Sequence, residues 1–174
     1  MHDNFVEALL ATKRSADIPE ADDWYGVLLG EWDFEWVDYL GGAGERHLRG
    51  EWLFARALEG RAIVDLFICP SREERRRDEA LEGEYGLSIR TYSAQTRSWH
   101  ICHASVGAPE QLSAIREENG DIVQTSTGKG YVAVWRFSNV RADSFYWTNR
   151  ISVDNGATWE LVGEVFAKKR PSRN

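Results

Sequence analysis

His100, Cys102 and His103 stand within four residues of one another, a density of nitrogen and sulfur donors that invites a metal site. The stretch around them reads as a strand. On a strand His100 and Cys102 share one face while His103 takes the other, so the three cannot converge on one ion. The remaining histidines, His2 and His47, fall in no ligand motif. Neither a metal nor a cofactor is expected. Nucleophilic catalysis has less to stand on: there is no G-x-S-x-G elbow, and Cys69 and Cys102 lack activating neighbours in sequence. Polar residues inside the late apolar runs are better candidates. Arg136 follows Trp135, Asn149 and Arg150 follow Trp147, and Glu164 lies among Val162, Val165 and Phe166. A charge facing a protein interior is costly unless it is paired or used on a ligand. An inward Arg136 or Arg150 would pair with Glu164 or hold a ligand carboxylate through two parallel N–H bonds. The plainer reading sends each of them to solvent, as strand alternation does with every second residue.

These groups must be positioned by 174 residues, enough for one domain that buries most of its apolar surface. Hydrophobic and charged shares of 43% and 28% are those of an ordinary globular chain. The eight Trp, six Tyr and seven Phe are less ordinary; rings of that size favour pleated sheets and fill wide interiors. A net charge of −7 argues against nucleic acid, which needs a clustered excess of Lys and Arg. No apolar run approaches the ~20 residues of a membrane span. Residues Met1 to Lys13 include acidic groups and lack the basic-then-apolar layout of a signal peptide. Two cysteines make no disulfide framework. A cytoplasmic protein with no nucleic-acid or membrane partner is expected.

One stretch has helical spacing: Phe5, Val6, Leu9 and Leu10 share a side of Asp3 to Lys13, with Asp3 or Asn4 as N-cap. Ser15 to Asp23, which contains Pro19, reads as a linker. From Leu29 the period becomes two. Trp32, Phe34 and Trp36 alternate with Asp33 and Glu35; Gly41, Gly42 and Gly44 then break the run. A second strand carries Trp52, Phe54 and Leu58, and Glu59-Gly60 turns it into a third, Arg61 to Cys69. Pro70 to Glu84 has ten charged residues in fifteen and is expected as a short surface helix or a loop, the most mobile internal segment. Its Arg75-Arg76-Arg77 run, with acidic residues on both sides, reads as a solvated face. Strands resume at Tyr85 to Ser93, Ser98 to Ser105, Glu110 to Glu118, Asp121 to Thr127, Tyr131 to Asn139, Asp143 to Ser152 and Ala157 to Lys168. Asn119-Gly120, Gly128-Lys129-Gly130 and Asp154-Asn155-Gly156 supply the turns. About ten hairpin-linked strands with no room for βαβ crossovers predict an all-β protein: a single antiparallel up-and-down β-barrel with a short N-terminal helix across one end or along the wall. A cone-shaped sheet wrapped on a helix is the alternative. The domain limits follow as 1–23 for helix and linker, 24–170 for the barrel and 171–174 for a tail.

Gly30-Glu31-Trp32 opens the first strand and resembles the G-x-W tripeptide of lipocalins. There the Trp looks inward at the closed end and is covered by a basic residue late in the barrel. The resemblance implies that part for Lys168, Lys169 or Arg170. L-L-G-E-W at Leu28 to Trp32, L-E-G-R-A-I-V-D at Leu58 to Asp65, D-N-G-A-T-W-E at Asp154 to Glu160 and F-A-K-K-R at Phe166 to Arg170 resemble a bacterial lipocalin-like (calycin) family of uncharacterised function. The resemblance spans roughly Leu28 to Arg170 and implies the lipocalin or fatty-acid-binding-protein type of barrel, without a particular reaction. Haem-binding barrels of the nitrobindin type also begin on a G-x-W-like strand, but their other hallmarks are not evident.

The expected function is a binding module whose aromatic interior holds a small apolar or amphipathic molecule. Trp36, Trp52, Trp147, Arg136, Asn149, Arg150 and Glu164 are the expected ligand-binding residues. An enzyme acting on a small organic acid would instead need Glu164 or Asp65 inward beside an arginine. A non-catalytic homodimer is the third reading. The faces taken by Arg136, Arg150 and Glu164 discriminate among them.

Overall fold

The computed structural model describes residues 2–39, 44–78, 83–105, 110–117 and 119–171. Every period-two run becomes a strand within a few residues of its expected limits: β2 (Gly30–Asp38), β3 (Arg46–Ala57), β4 (Ala62–Cys69), β5 (Glu84–Ser93), β6 (Ser98–Ala104), β7 (Glu110–Arg116), β8 (Ile122–Gly128), β9 (Tyr131–Ser138), β10 (Ser144–Ser152) and β11 (Glu160–Lys169). A two-residue strand, β1 (Leu10–Ala11), pairs with the end of β3. The ladder β3-β2-β11-β10-β9-β8-β7-β6-β5-β4 is antiparallel throughout and closes through β3–β4, so ten strands form a barrel with no long free edge. Where the chain must turn tightly, Asn155 and Gly156 take positive φ, and Ser152 Oγ accepts the Gly156 N–H at 2.7 Å. Of the expected turn glycines, Gly41 and Gly42 lie outside the described residues, as do 172–174 of the tail.

The register fixes which face each residue takes. Trp32 lies opposite Trp52, and Phe34 opposite Gly50, on the inner face of β2 and β3. Trp32 is fully buried at one end. Its Nε1 donates to the Leu28 carbonyl at 2.6 Å, the Phe145 ring lies 4.8 Å away, and Lys169 Nζ sits over the indole at 5.1 Å. Lys169 therefore takes the covering place, whereas Arg170 binds Asp33, Glu31 and Glu51 outside the wall. Trp32→Ala is expected to cost ~3–5 kcal/mol in a denaturant melt, from lost transfer energy plus the cavity left behind.

Two N-terminal expectations need correction. The helix α1 (His2–Leu9) is shorter than Asp3 to Lys13, and Asp3 and Asn4 lie inside it rather than at its cap. Its apolar side is largely exposed, Phe5 at 70% and Val6 at 48%, so α1 does not close the barrel. The supposed linker does part of that work. Its 3₁₀ turn Glu20–Asp22, followed by a second at Gly26–Leu28, seals the end with Ile18, Trp24, Tyr25 and Leu28 buried. Asp22 fastens the seal, accepting from Tyr92 Oη at 2.5 Å and Arg97 Nη2 at 2.9 Å, while its carbonyl accepts from Trp99 Nε1.

The charged segment after Pro70 forms α2 (Arg72–Arg77), opened by a Ser71–Glu74 capping box. It lacks apolar anchors but not anchors. Arg72 donates from its backbone N–H, Nε and Nη2 to Glu51 on the outer wall, and Arg75 donates to the carbonyls of Cys69, Pro70 and Glu84. Residues 79–82 of the segment lie outside the described residues. The Arg72 guanidinium first, and then its N–H and Arg170, hold the Glu51 carboxyl at about 2 against the opposing effect of burial. A carboxyl depressed by folding stabilises above its unfolded pKa and stops doing so as pH falls through the folded one. Protection of the α2 amides, measured against the intrinsic exchange rate at each pH, is therefore expected to fall between about pH 4.5 and about 2, ahead of protection in the barrel strands.

Candidate functional site

The interior has two levels. At mid-height, Trp52 contacts the rings of Phe34, Phe54, Phe67, Phe137, Phe145 and Trp147 at 5.0–6.3 Å between centroids. Its Nε1 donates to Asp65 Oδ1 at 2.6 Å, and Asp65 pairs with Arg90, both side chains only 1% exposed. Arg90 also lies over the Tyr25 ring at 4.9 Å, and its Nε donates to Gln124 Oε1 at 3.4 Å, the oxygen that also accepts from Tyr25 Oη. Burial lowers the Arg90 pKa from its usual high value, and the Asp65 carboxylate in direct contact favours the charged form.

Towards the end opposite Trp32, the inner face carries Trp36, Phe67, His103, Trp135, Trp147 and Asn149. Trp135 stands 5.2 Å from His103 and 6.0 Å from Trp147, and Trp36 stands 5.6 Å from Phe67. Trp36, Trp135 and Asn149 are half-buried, as expected of residues near a mouth. Glycine makes room for two of these rings. A Cβ on Gly163 would sit 2.8 Å from Trp36 Nε1, and one on Gly86 2.6 Å from His103 Cε1. Among the described residues, four buried polar atoms here and just below have no partner: Trp36 Nε1, Trp147 Nε1, Asn149 Oδ1 and Gln124 Nε2. The other polar groups of the mouth are paired. Asp38 meets Arg46, Glu84 Oε1 meets His103 Nε2 at 3.1 Å, and Glu110 accepts from Ser126 Oγ and Tyr131 Oη. His103 Nδ1 lies 3.0 Å from Ser88 Oγ, which completes a serine–histidine–carboxylate chain, but Ser88 is 3% exposed and its chain forms a wall rather than a presented nucleophile.

Of the residues expected at the site, Trp36, Trp52, Trp147 and Asn149 are inside and share one aromatic surface. Arg136, Arg150 and Glu164 are on the outer face. Arg136 is held by Glu117 at 2.7 Å and Asp121 at 3.0 Å, Arg150 is exposed, and Glu164 accepts from the phenols of Tyr39 and Tyr146, raising the Tyr39 hydroxyl to about 12. The reason is parity: each is one residue removed from an inward Trp135, Asn149 or Val165. Arg136 and Arg150 thus form no clamp inside the barrel. The most deeply buried ion pair among the described residues is Asp65 with Arg90. Asp65 is legible by type; Ser88 and Arg90 are not, because on β5 the apolar residues Leu87 and Ile89 alternate with them and suggest the opposite face.

His100 and Cys102 face out while His103 faces in; the two cysteines are unpaired, and among the described residues no group of three or more His, Cys, Asp or Glu is placed to hold a metal ion. No helix among the described residues is long and apolar enough to cross a membrane. A groove of about 890 Å³ lies outside the wall beneath α2, but most of its charges are spent on one another, Arg72 and Arg170 on Glu51, and Arg77 on Glu73.

Among solved structures the chain is similar to the S-type phycobiliprotein lyase CPES from Guillardia theta, with a TM-score of 0.60 over 90% of this chain and 96% of that one. What the two share is the fold, here the closed antiparallel β-barrel. At 11% identity the likeness is one of architecture, and no side-chain role follows from it. No family model matches the chain, and neither does any curated protein.

Proposed function

We propose that the barrel is a binding module for a small, planar, amphipathic molecule, seated end-on in the mouth formed by Trp36, Trp135, Trp147, His103 and Asn149. The carrying observation is the set of buried polar atoms without partners on an otherwise aromatic surface. A buried N–H or C=O left unmade costs ~1–3 kcal/mol, and native interiors keep very few of them. Three of them, on Trp36, Trp147 and Asn149, lie towards one end and the fourth, on Gln124, lies below, which suits a site whose partner arrives with the ligand. Rings at edge-to-face angles, Trp135 on His103 at 85° and Trp36 on Phe67 at 82°, present flat walls to an incoming planar body. A calycin-like barrel with a phycobiliprotein lyase among its structural neighbours is a reasonable frame for such a ligand.

The test is titration of the purified protein with planar aromatic compounds, read by quenching of tryptophan fluorescence, together with native mass spectrometry for a retained small molecule. Saturable quenching is expected, weakened roughly ten- to a hundred-fold by Trp147→Leu as ring contact and N–H are lost together. Arg136→Ala and Arg150→Ala are expected to leave the dissociation constant unchanged, because both side chains lie outside the wall. A loss of binding in either arginine variant, or no saturable response to any compound, would remove this reading.

A further inference from the structure

From the same four atoms we infer the chemical class of the ligand: a neutral, planar carbonyl compound that carries an N–H beside its carbonyl, as a cyclic amide does. The inference rests on the binding reading above. Three of the four unpartnered atoms, Trp36 Nε1, Trp147 Nε1 and Gln124 Nε2, are donors, and the fourth, Asn149 Oδ1, belongs to an amide that no hydrogen bond among the described residues orients, so Asn149 is the one member of the set able to accept. The Gln124 amide cannot be turned to reverse its role, since its oxygen already accepts from two donors, Tyr25 Oη at 3.0 Å and Arg90 Nε at 3.4 Å. Gln124 is fully buried and Trp147 nearly so, and both face inward. A ligand that satisfies this set offers more acceptors than donors.

Two of the four atoms belong to residues that adjoin the same glycine. Asn149 and Gly163 are register partners on the inner face of adjacent strands, and Trp36 Nε1 lies over Gly163, at 2.8 Å from where its Cβ would stand. Strands lie ~4.8 Å apart, so a donor from β2 and an acceptor from β10 flank the same glycine. A carbonyl beside an N–H on one edge of a planar ring is the complement of that pair.

Charge separates a neutral carbonyl from a carboxylate. Asp38, Glu84 and Glu110 all face inward at the mouth, against Arg46 and His103, and Glu110 is held by two hydroxyls rather than by a cation. A ligand carboxylate would meet like charge there, and the inward guanidinium groups deeper in the barrel, Arg90 and Arg56, are already committed to Asp65 and Asp23.

The experiment is calorimetric titration with three probes of one ring size: quinolin-2-one, naphthalene and naphthalene-2-carboxylate. Quinolin-2-one is expected to bind roughly tenfold or more tightly than either of the others. Asn149→Leu and Gly163→Ala, the second acting by displacing the Trp36 indole, are expected to erase that preference, so that quinolin-2-one binds each variant no more tightly than naphthalene binds the same variant. Circular dichroism and thermal melting check that each variant is folded, and one folded variant suffices for the comparison. Naphthalene or the carboxylate binding as tightly as quinolin-2-one would overturn the class while leaving the binding site in place. A preference that survives in a folded variant would overturn it too. Failure of all three probes to bind would overturn both this inference and the proposed function.

Discussion

Arg90→Met is expected to destabilise the protein by about 3–5 kcal/mol, among the largest effects of any single polar substitution in the chain. Arg90 and Asp65 are both 1% exposed, and the Asp65 carboxylate has Arg90 and the Trp52 indole N–H as its partners. Removing the guanidinium leaves a buried carboxylate with one neutral donor, which costs far more than the net worth of the intact pair. The deficit should shrink as pH falls through the carboxylate range, because an unpaired buried Asp takes up a proton rather than stay charged. The double variant Asp65→Leu with Arg90→Met should lose much less than the sum of the single losses, since it removes both charges at once. Denaturant melts of the four proteins at pH 7 and at pH 5 measure all of this. A cost below about 1 kcal/mol for Arg90→Met would mean that Asp65 is hydrated, and the sealed mid-level of the barrel would have to be abandoned.

The legibility of the sequence followed the same physics. Strand limits came through because alternation and turn chemistry are local signals: the period-two run at Trp32, Phe34 and Trp36, and the positive φ at Asn155 and Gly156, need nothing from the rest of the chain. The 3₁₀ seal was invisible because three-residue turns have no periodicity to detect, so Tyr25 and Leu28 gave no hint of full burial. At the site, parity was the missing constraint. Trp147 and Asn149 share a face, so an inward Trp147 sends Arg150 outward, and the same reasoning from Trp135 sends Arg136 outward. Arg90 escaped notice for the opposite reason. On β5 the residues that look apolar, Leu87 and Ile89, are on the outer face, with Leu87 47% exposed, and the polar ones are within. A strand that turns polar residues inward is paying for something other than stability, and here it supplies the charged partner that Asp65 requires.

Trp52→Ala is expected to cost more than Trp32→Ala, although both indoles are buried and of equal size. Each substitution opens a cavity worth ~3–5 kcal/mol. At Trp32 the lost indole N–H leaves a backbone carbonyl, that of Leu28, without its side-chain donor. At Trp52 it leaves a charged oxygen, Asp65 Oδ1, and an unmet charged acceptor is costlier than a neutral one by roughly 1–2 kcal/mol. Trp52 is also the ring that joins the levels, touching Phe54 and Phe145 below and Phe67 and Trp147 above, so its loss slackens the floor on which the mouth stands. Trp52→Phe separates the two effects. It restores most of the ring contact but not the N–H, and should recover the larger part of the stability while leaving Asp65 short of one donor. If Trp52→Phe proves as damaging as Trp52→Ala, the indole N–H to Asp65 outweighs the packing; if Trp52→Ala costs less than Trp32→Ala, the hub assigned to Trp52 does not hold the two levels together.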